Sequence, residues 1–85
     1  MVYVDEAIWP WRGRKWAHLM AEDLDELHAF AARVGLKRSW FQGHTKYPHY
    51  DLVAWRRQRA IQLGAVSVTV RELVKMANGW RLDCV

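Results

Sequence analysis

Hydrophobic and polar positions alternate along this chain in two distinct periods. Val2-Tyr3-Val4 is a β-branched and aromatic run closed by Asp5-Glu6, which predicts a first strand with Asp5 at its C-terminal end. In α/β sheets that end is where ligand-binding groups collect. Ile8 to Lys15 contains Pro10 and Gly13 and predicts a loop. Trp16 to Met20 returns to a period of two, placing Trp16, His18 and Met20 on one face of a second strand and Ala17 and Leu19 on the other.

The period then changes to that of a helix. Leu24, Leu27, Ala31 and Val34 form one stripe, with Phe30 beside it, over a helix from Asp23 to Val34. Asp23 is a good N-cap, Glu26 completes a capping-box pattern, and Gly35 is placed to end the helix in the left-handed conformation. His28 lies roughly 80° from the middle of the stripe at 100° per residue, so it borders the core. Leu36 to Gln42 fits a short helix or an extended segment equally. Gly43 and Pro48 mark His44 to Tyr50 as loop.

Asp51 is an N-cap candidate for a second helix through Leu63, closed by Gly64, with Leu52, Val53, Ala60 and Leu63 facing inward. Arg56 falls inside that inward face. A charge there needs a partner or a cavity, so it binds either a carboxylate of the protein, with Asp5 and Asp51 as candidates, or an anion in a pocket. Ala65 to Val68 predicts a third strand, and Thr69 with Glu72 forms a second capping box opening a helix over 71–77 that ends near Asn78-Gly79. Trp80 to Val85 fits a short strand or a tail. Three short strands and two to three helices, with the longer helices between the second and third strands, predict a small single α/β domain spanning 1–85 and a parallel pairing of those two strands.

Composition narrows the picture. A chain of 85 residues forms one domain and buries only about 60–65% of its unfolded surface. It is 52% hydrophobic and has six Trp. Each aromatic ring can bury roughly 150–250 Å², so a core this small does not hide all six. Net charge is +4 and the pI about 9.6. The charge is segregated: residues 37–62 hold Lys37, Arg38, Lys46, Arg56, Arg57 and Arg59 against Asp51 alone, while Glu22, Asp23, Asp25 and Glu26 cluster in residues 21–26. A basic side favours an anionic partner, though it also serves plain solubility. The one cysteine, Cys84, excludes an internal disulfide and a cysteine-based zinc site. The start MVYVDEA lacks the pattern of a signal peptide, and no apolar run reaches the ~18–20 residues of a membrane span. These features predict a cytoplasmic protein without membrane contact.

No GxGxxG, GxxxxGK[ST], GxSxG or HExxH motif is present. Three constellations carry chemistry. His18, His49 and Asp51, with Asp5 and His28 behind them, are residue types that bind a divalent metal or act as acid and base on a phosphoester. His49-Tyr50-Asp51 also reads as a loop fixed by hydrogen bonds and a helix cap. Arg56, Arg57 and Arg59 in the first half of a helix, with Trp40, Phe41 or Tyr50 as stacking surfaces, could hold a phosphate and a base. In the loop before the second strand, Trp9 and Trp11 alternate with Arg12, Arg14 and Lys15. That pattern stacks on nucleic acid, or the two rings close over the core and the charges are solvated. Exposed Trp, Tyr and Arg are also hot-spot residues of protein interfaces.

The pieces VYVD (2–5), HLMA (18–21), DELHAFAARVGL (25–36), WFQ (40–42), HYDL (49–52) and RRQRAIQLGAV (56–66) resemble, in order, a small phage and bacterial domain family of unknown function. The resemblance covers roughly residues 2 to 75. It implies that Asp5, His18, His28, Trp40, Gln42, His49, Tyr50, Asp51 and Arg56 belong to a common pattern, and it implies a phage or prophage setting in a host cytoplasm. Relatives commonly follow HYDL with Ser-Pro, where this chain has Val53-Ala54, which weakens the helix start at Asp51. The reading that results is a cleft of Asp5, His18, Trp40, Gln42, His49, Tyr50, Asp51 and Arg56 that binds a nucleotide or nucleic acid. A small metal-assisted phosphodiesterase with His18, His49 and Asp51 as its chemistry is the alternative. A phage-encoded inhibitor of a host defence or transcription protein is a third, and the exposed Trp residues are compatible with a homodimer. No particular cofactor is indicated.

Overall fold

The computed structural model describes residues 1–80; Cys84 and most of the Trp80–Val85 segment lie outside the described residues. Five strands form one mixed sheet: β1 (Val2–Val4), β2 (Trp9–Trp11), β3 (Arg14–Ala21), β4 (Tyr50–Val53) and β5 (Val66–Ser67). Three α-helices accompany them: α1 (Leu24–Val34), α2 (Ala54–Gln62) and α3 (Val70–Ala77). The small α/β domain expected from the sequence is present, with two more strands than the sequence pattern indicated.

The extra strands replace a predicted loop and a predicted helix start. Trp9–Trp11 pairs antiparallel with Arg14–Trp16 as a hairpin. Its two turn residues, Arg12 and Gly13, both have positive φ (51° and 72°), the combination a two-residue hairpin turn needs to match strand twist. Pro10 is tolerated because β2 is short and forms an edge of the sheet. Tyr50–Val53 forms β4 rather than the first turn of a helix, pairing antiparallel with β3. Asp51 is therefore not an N-cap. The helix starts at Ala54 with Val53 at the cap position and no side-chain cap. The alternation of Tyr50 and Leu52, both buried, with the half-exposed Asp51 is the strand signal that Asp51's capping propensity obscured.

Leu19 pairs with Val4 on one side and Tyr50 on the other, and Trp16 pairs with Trp9 and Val53 in the same way. β1 and β2 thus lie end to end along one edge of β3, and β4 lies along the opposite edge. β5 pairs parallel with β1, not with β3 as the helical crossover suggested. β4 reverses the chain before α2 begins, so α2 carries it back over β3 and β1 to the far edge.

α1 and α2 cover one face of the sheet over Ala17, Leu19, Ala21 and Leu52. Asp23 caps α1 by accepting from the N–H groups of Asp25 and Glu26, and Gly35 ends it at φ 97°. The reciprocal arm of the expected capping box is missing. The Glu26 carboxylate instead takes the terminal ammonium of Met1 at 2.8 and 2.9 Å. The capping box of Thr69 and Glu72 is complete at the start of α3. α3 covers part of the other face, packing Leu73 and Ala77 on Met20. Among the described residues no helix lies over the rest of that second face, around Trp16, His18 and Asp51.

Candidate metal centre

The uncovered sheet face brings three chemistry-bearing side chains together. His18 and Asp51 are direct cross-strand partners, so they project from the same face. A two-way backbone bridge between Gln42 and His49 extends β4 backwards by one residue (2.8 and 3.3 Å). His49 and Asp51, two positions apart, thereby share that face. The reach of Nε2 to Asp51 Oδ1 is 3.3 Å from His49 and 3.8 Å from His18. One ligand atom from each of the three residues lies within 4.8 Å of the others.

The other nitrogen of each ring is already committed. His18 Nδ1 lies 2.8 Å from Asp5 Oδ2, and the His18 backbone N–H donates to Asp5 Oδ1 at 2.6 Å. His49 Nδ1 lies 2.6 Å from the carbonyl oxygen of Tyr47. A carboxylate and a carbonyl only accept, so both rings carry their proton on Nδ1. Each neutral ring then turns an Nε2 lone pair toward the carboxylate of Asp51. Acceptors facing acceptors repel unless a proton or a cation lies between them. Two ligand atoms each about 2.0–2.2 Å from one cation are separated by at most ~4.4 Å; the 3.3 and 3.8 Å spacings to Asp51 satisfy this, and the third, between the two imidazoles, lies within 4.8 Å, so the rings would close on a cation by no more than a few tenths of an ångström.

Asp5 is 1% exposed, the one buried acidic residue among those described. It follows β1 directly, as anticipated, and each of its two oxygens accepts one hydrogen bond from His18. Arg57 fixes it from behind: Nε donates to the Asp5 carbonyl at 2.7 Å and Nη2 to Ser67 Oγ at 2.8 Å. Tyr47 is held in turn by the Thr45 hydroxyl on its carbonyl (2.8 Å) and by its own hydroxyl donating to Asn78 Oδ1 (2.7 Å). Burial alone would depress the His49 imidazolium. The bond to Asp51, the Tyr47 carbonyl and the charges of Asp51 and Asp5 outweigh it and hold its pKa above the usual histidine value. The position where a proton is held is the position a cation would take.

The expected cleft divides at this group. Asp5, His18 and His49 line a cavity of about 400 Å³ with Trp9, Lys46 and Tyr47. Asp51 lines a second one, of about 450 Å³, with Trp40, Gln42 and Arg56. Tyr50 does not belong to either. It is buried on the helix side, its hydroxyl 2.9 Å from His28 Nδ1. Among the described residues Arg56 finds no carboxylate. Nη1 donates to the Gly35 carbonyl at 2.8 Å, at the negative end of α1, and the guanidinium lies over Trp40 and Trp55 at 5.2 and 4.7 Å. Trp9 and Trp11 are exposed rather than folded over the core. Trp9 packs on His18 at 5.3 Å. Arg57, expected with Arg56 and Arg59 at a phosphate, instead braces Asp5 and Ser67, and Trp9, expected on nucleic acid or over the core, packs on His18 because the Arg12-Gly13 turn makes its segment a strand.

His28 lies away from this group, and its pKa is lowered, first by burial and then by Arg38, against a smaller opposing effect of Asp25. A folded-state pKa below the unfolded value means that the unfolded chain takes up the proton first. His28 therefore stabilises the fold above about pH 6.5 and that contribution is lost as the pH falls through its folded pKa. Denaturant midpoints measured from neutral to mildly acidic pH should fall more steeply for the native protein than for His28→Gln.

Fold and site define a small α/β domain with a His/His/Asp group on the open part of its sheet. The chain belongs to the family described as protein of unknown function (DUF4031), whose family model matches residues 2–79. No curated protein and no solved structure matches it. Among the described residues no helix is long and apolar enough to cross a membrane.

Proposed function

We propose that the protein is a divalent-metal-dependent phosphodiesterase acting on a nucleotide or nucleic-acid substrate, with His18, His49 and Asp51 as the metal ligands. The observation that carries this reading is the placement of both Nδ1 atoms on acceptors, with both rings beside Asp51. Both imidazole N–H groups are drawn away by Asp5 and the Tyr47 carbonyl, which leaves two Nε2 lone pairs and a carboxylate converging on one point. Three protein ligands of two imidazoles and one carboxylate leave coordination positions for water and for a substrate oxygen, the arrangement of an open catalytic site. Held by His18, His49 and Asp51, a divalent cation would supply Lewis acidity toward water and a phosphoryl oxygen.

In the reaction, the oxygen of water forms a new bond to phosphorus and the bond from phosphorus to the leaving alkoxide breaks. Of the two water protons, one ends on the leaving alkoxide, which departs as an alcohol, and the other stays on the phosphate product or passes to solvent. Asp5 serves as a positioning residue that fixes the His18 tautomer. The basic character of the chain, Lys46 beside the histidines and Arg56 beside Asp51 favour an anionic ester over a neutral one.

A second reading, phosphate binding without metal, is favoured by the raised pKa of His49, because an imidazolium can bind an anion directly. Calorimetric titration with Zn and Mn of chelator-treated protein separates the two. A single saturable equivalent, together with metal-dependent hydrolysis of bis-p-nitrophenyl phosphate, is expected. Phosphate binding that persists in chelator with no metal uptake would replace the enzymatic reading with the anion-binding one.

A further inference from the structure

The linings of the two cavities are in contact, His18 and His49 of one lying 3.8 and 3.3 Å from Asp51 of the other, and both have aromatic walls. On the Asp51 side are Trp11, Trp16, Trp40 and Trp55; on the histidine side are Trp9 and Tyr47. Four of these rings are exposed, with Trp55 at 59% and Trp11 at 54%. Exposed indoles grouped on one face of so small a protein mark a surface meant to be covered. Guanidinium groups sit over them: Arg56 over Trp40 and Trp55, and Arg12 over Trp11 at 4.6 Å. Among the described residues no carboxylate pairs with Arg12, Arg14, Lys15, Lys46 or Arg56. Of these, Arg14 and Arg56 line the one cavity and Lys46 the other, which places positive charge beside each for a phosphate backbone.

We infer that the two cavities form one track for single-stranded nucleic acid, crossing the His18–His49–Asp51 group. One base stacks in the Trp40–Trp55–Trp11 cavity and the neighbouring base enters the Trp9–Tyr47 cavity. The phosphate joining them then lies at the metal centre. This deepens the phosphodiesterase reading by naming the substrate, and it rests on that reading only for the position of the phosphate. Two observations select the class of ligand. Each cavity is within the roughly 300–1,000 Å³ range of small-ligand sites, so a mononucleotide would fill one and leave the other empty. Bases held in a duplex have no free faces for indoles to stack on, whereas every base of a single strand offers one.

Fluorescence anisotropy with labelled oligothymidylate, oligouridylate and a blunt duplex, in Mn and in chelator, tests the track on the full chain. Saturable binding of a single strand in preference to the duplex and to thymidine monophosphate is expected, with quenching of Trp emission. Trp55→Ala should weaken it about 5- to 100-fold, the range for losing a stacking surface, and Trp55→Phe should recover most of the loss. Because Trp55 is exposed, near-UV circular dichroism should report an intact fold for both variants. Equal affinity for strand and duplex would overturn the inference, as would binding insensitive to Trp55→Ala. So would an absence of binding, which would assign the indoles to a protein partner. Strand binding that survives in chelator, with no metal uptake, would uphold the track while removing the phosphodiesterase reading. Ester hydrolysis with no strand preference would do the reverse.

Discussion

His49→Ala should lower Zn affinity by more than the roughly 10–100-fold that loss of an outer partner of a metal ligand costs, and should abolish metal-dependent ester hydrolysis. It removes one of three ligand atoms, and among the described residues no other imidazole or carboxylate joins the group: Asp5 has both oxygens engaged by His18, and His28 is held by Tyr50. The companion variant Asp5→Asn probes the tautomer argument itself. An amide offers one acceptor and one donor where His18 presents two donors. With its oxygen on the His18 backbone N–H, its NH₂ group faces Nδ1, which must then become the acceptor. The ring proton moves to Nε2, pointing at Asp51, and the nitrogen can no longer bind a cation. The expected loss for Asp5→Asn is about 10–100-fold in metal affinity. Competition against a chelating dye measures both variants, and nitrogen NMR of the imidazoles reports the proton position directly. Unchanged Zn affinity in His49→Ala would refute the assignment of the centre.

Leu19→Ala should destabilise the fold by about 2–5 kcal/mol, the usual cost of emptying a leucine site in a core that cannot collapse around the void. Leu19 is fully buried in the middle of β3, between Val4 of β1 and Tyr50 of β4, so its side chain packs where both helices cover the sheet. For a domain of this size that corresponds to a lower Tm by about 10–30 °C. Since small domains have only ~5–15 kcal/mol of stability in all, a large fraction of the molecules should be unfolded under mild denaturant. Trp55→Ala, at an exposed position, is the contrasting case and should shift Tm little. A scanning calorimetry series over the two variants checks the assignment of core and surface. Similar shifts in both would mean that the indole surface supports the fold rather than a ligand.

The division of the expected cleft explains why its members differ in kind. Tyr50 and Leu52 point to the helices, His49 and Asp51 away from them, because adjacent strand residues take opposite faces. A reading of 51–63 as helix put Leu52 and Arg56 on one side of a cylinder and made Arg56 an anomaly needing an acid. With the helix beginning at Ala54, Arg56 is half-buried at the edge of α2 and reaches a helix C-terminal carbonyl. The free carbonyls at the end of α1 supply the negative partial charge that the sequence reading sought in a carboxylate.

Signals that depend on neighbours in the chain were legible in the sequence alone. They include the alternation of Trp16 to Met20, the Asp23 cap and Gly35 stop of α1, the Thr69–Glu72 box and the charge segregation. Each rests on backbone geometry within one turn or one pleat, so residue type is enough to indicate it. The residues of the centre were legible as types, but not as a group. His18 meets Asp51 only because β3 and β4 pair in one register, and a slip of one residue would send Asp51 to the opposite face. That register is fixed by burial of Ala17, Leu19, Tyr50 and Leu52 under α1 and α2, a choice made by the whole core. The tautomers of His18 and His49, the carbonyl that satisfies Arg56 and the face that stays open were likewise decided in the tertiary structure, because each depends on atoms brought together from distant parts of the chain.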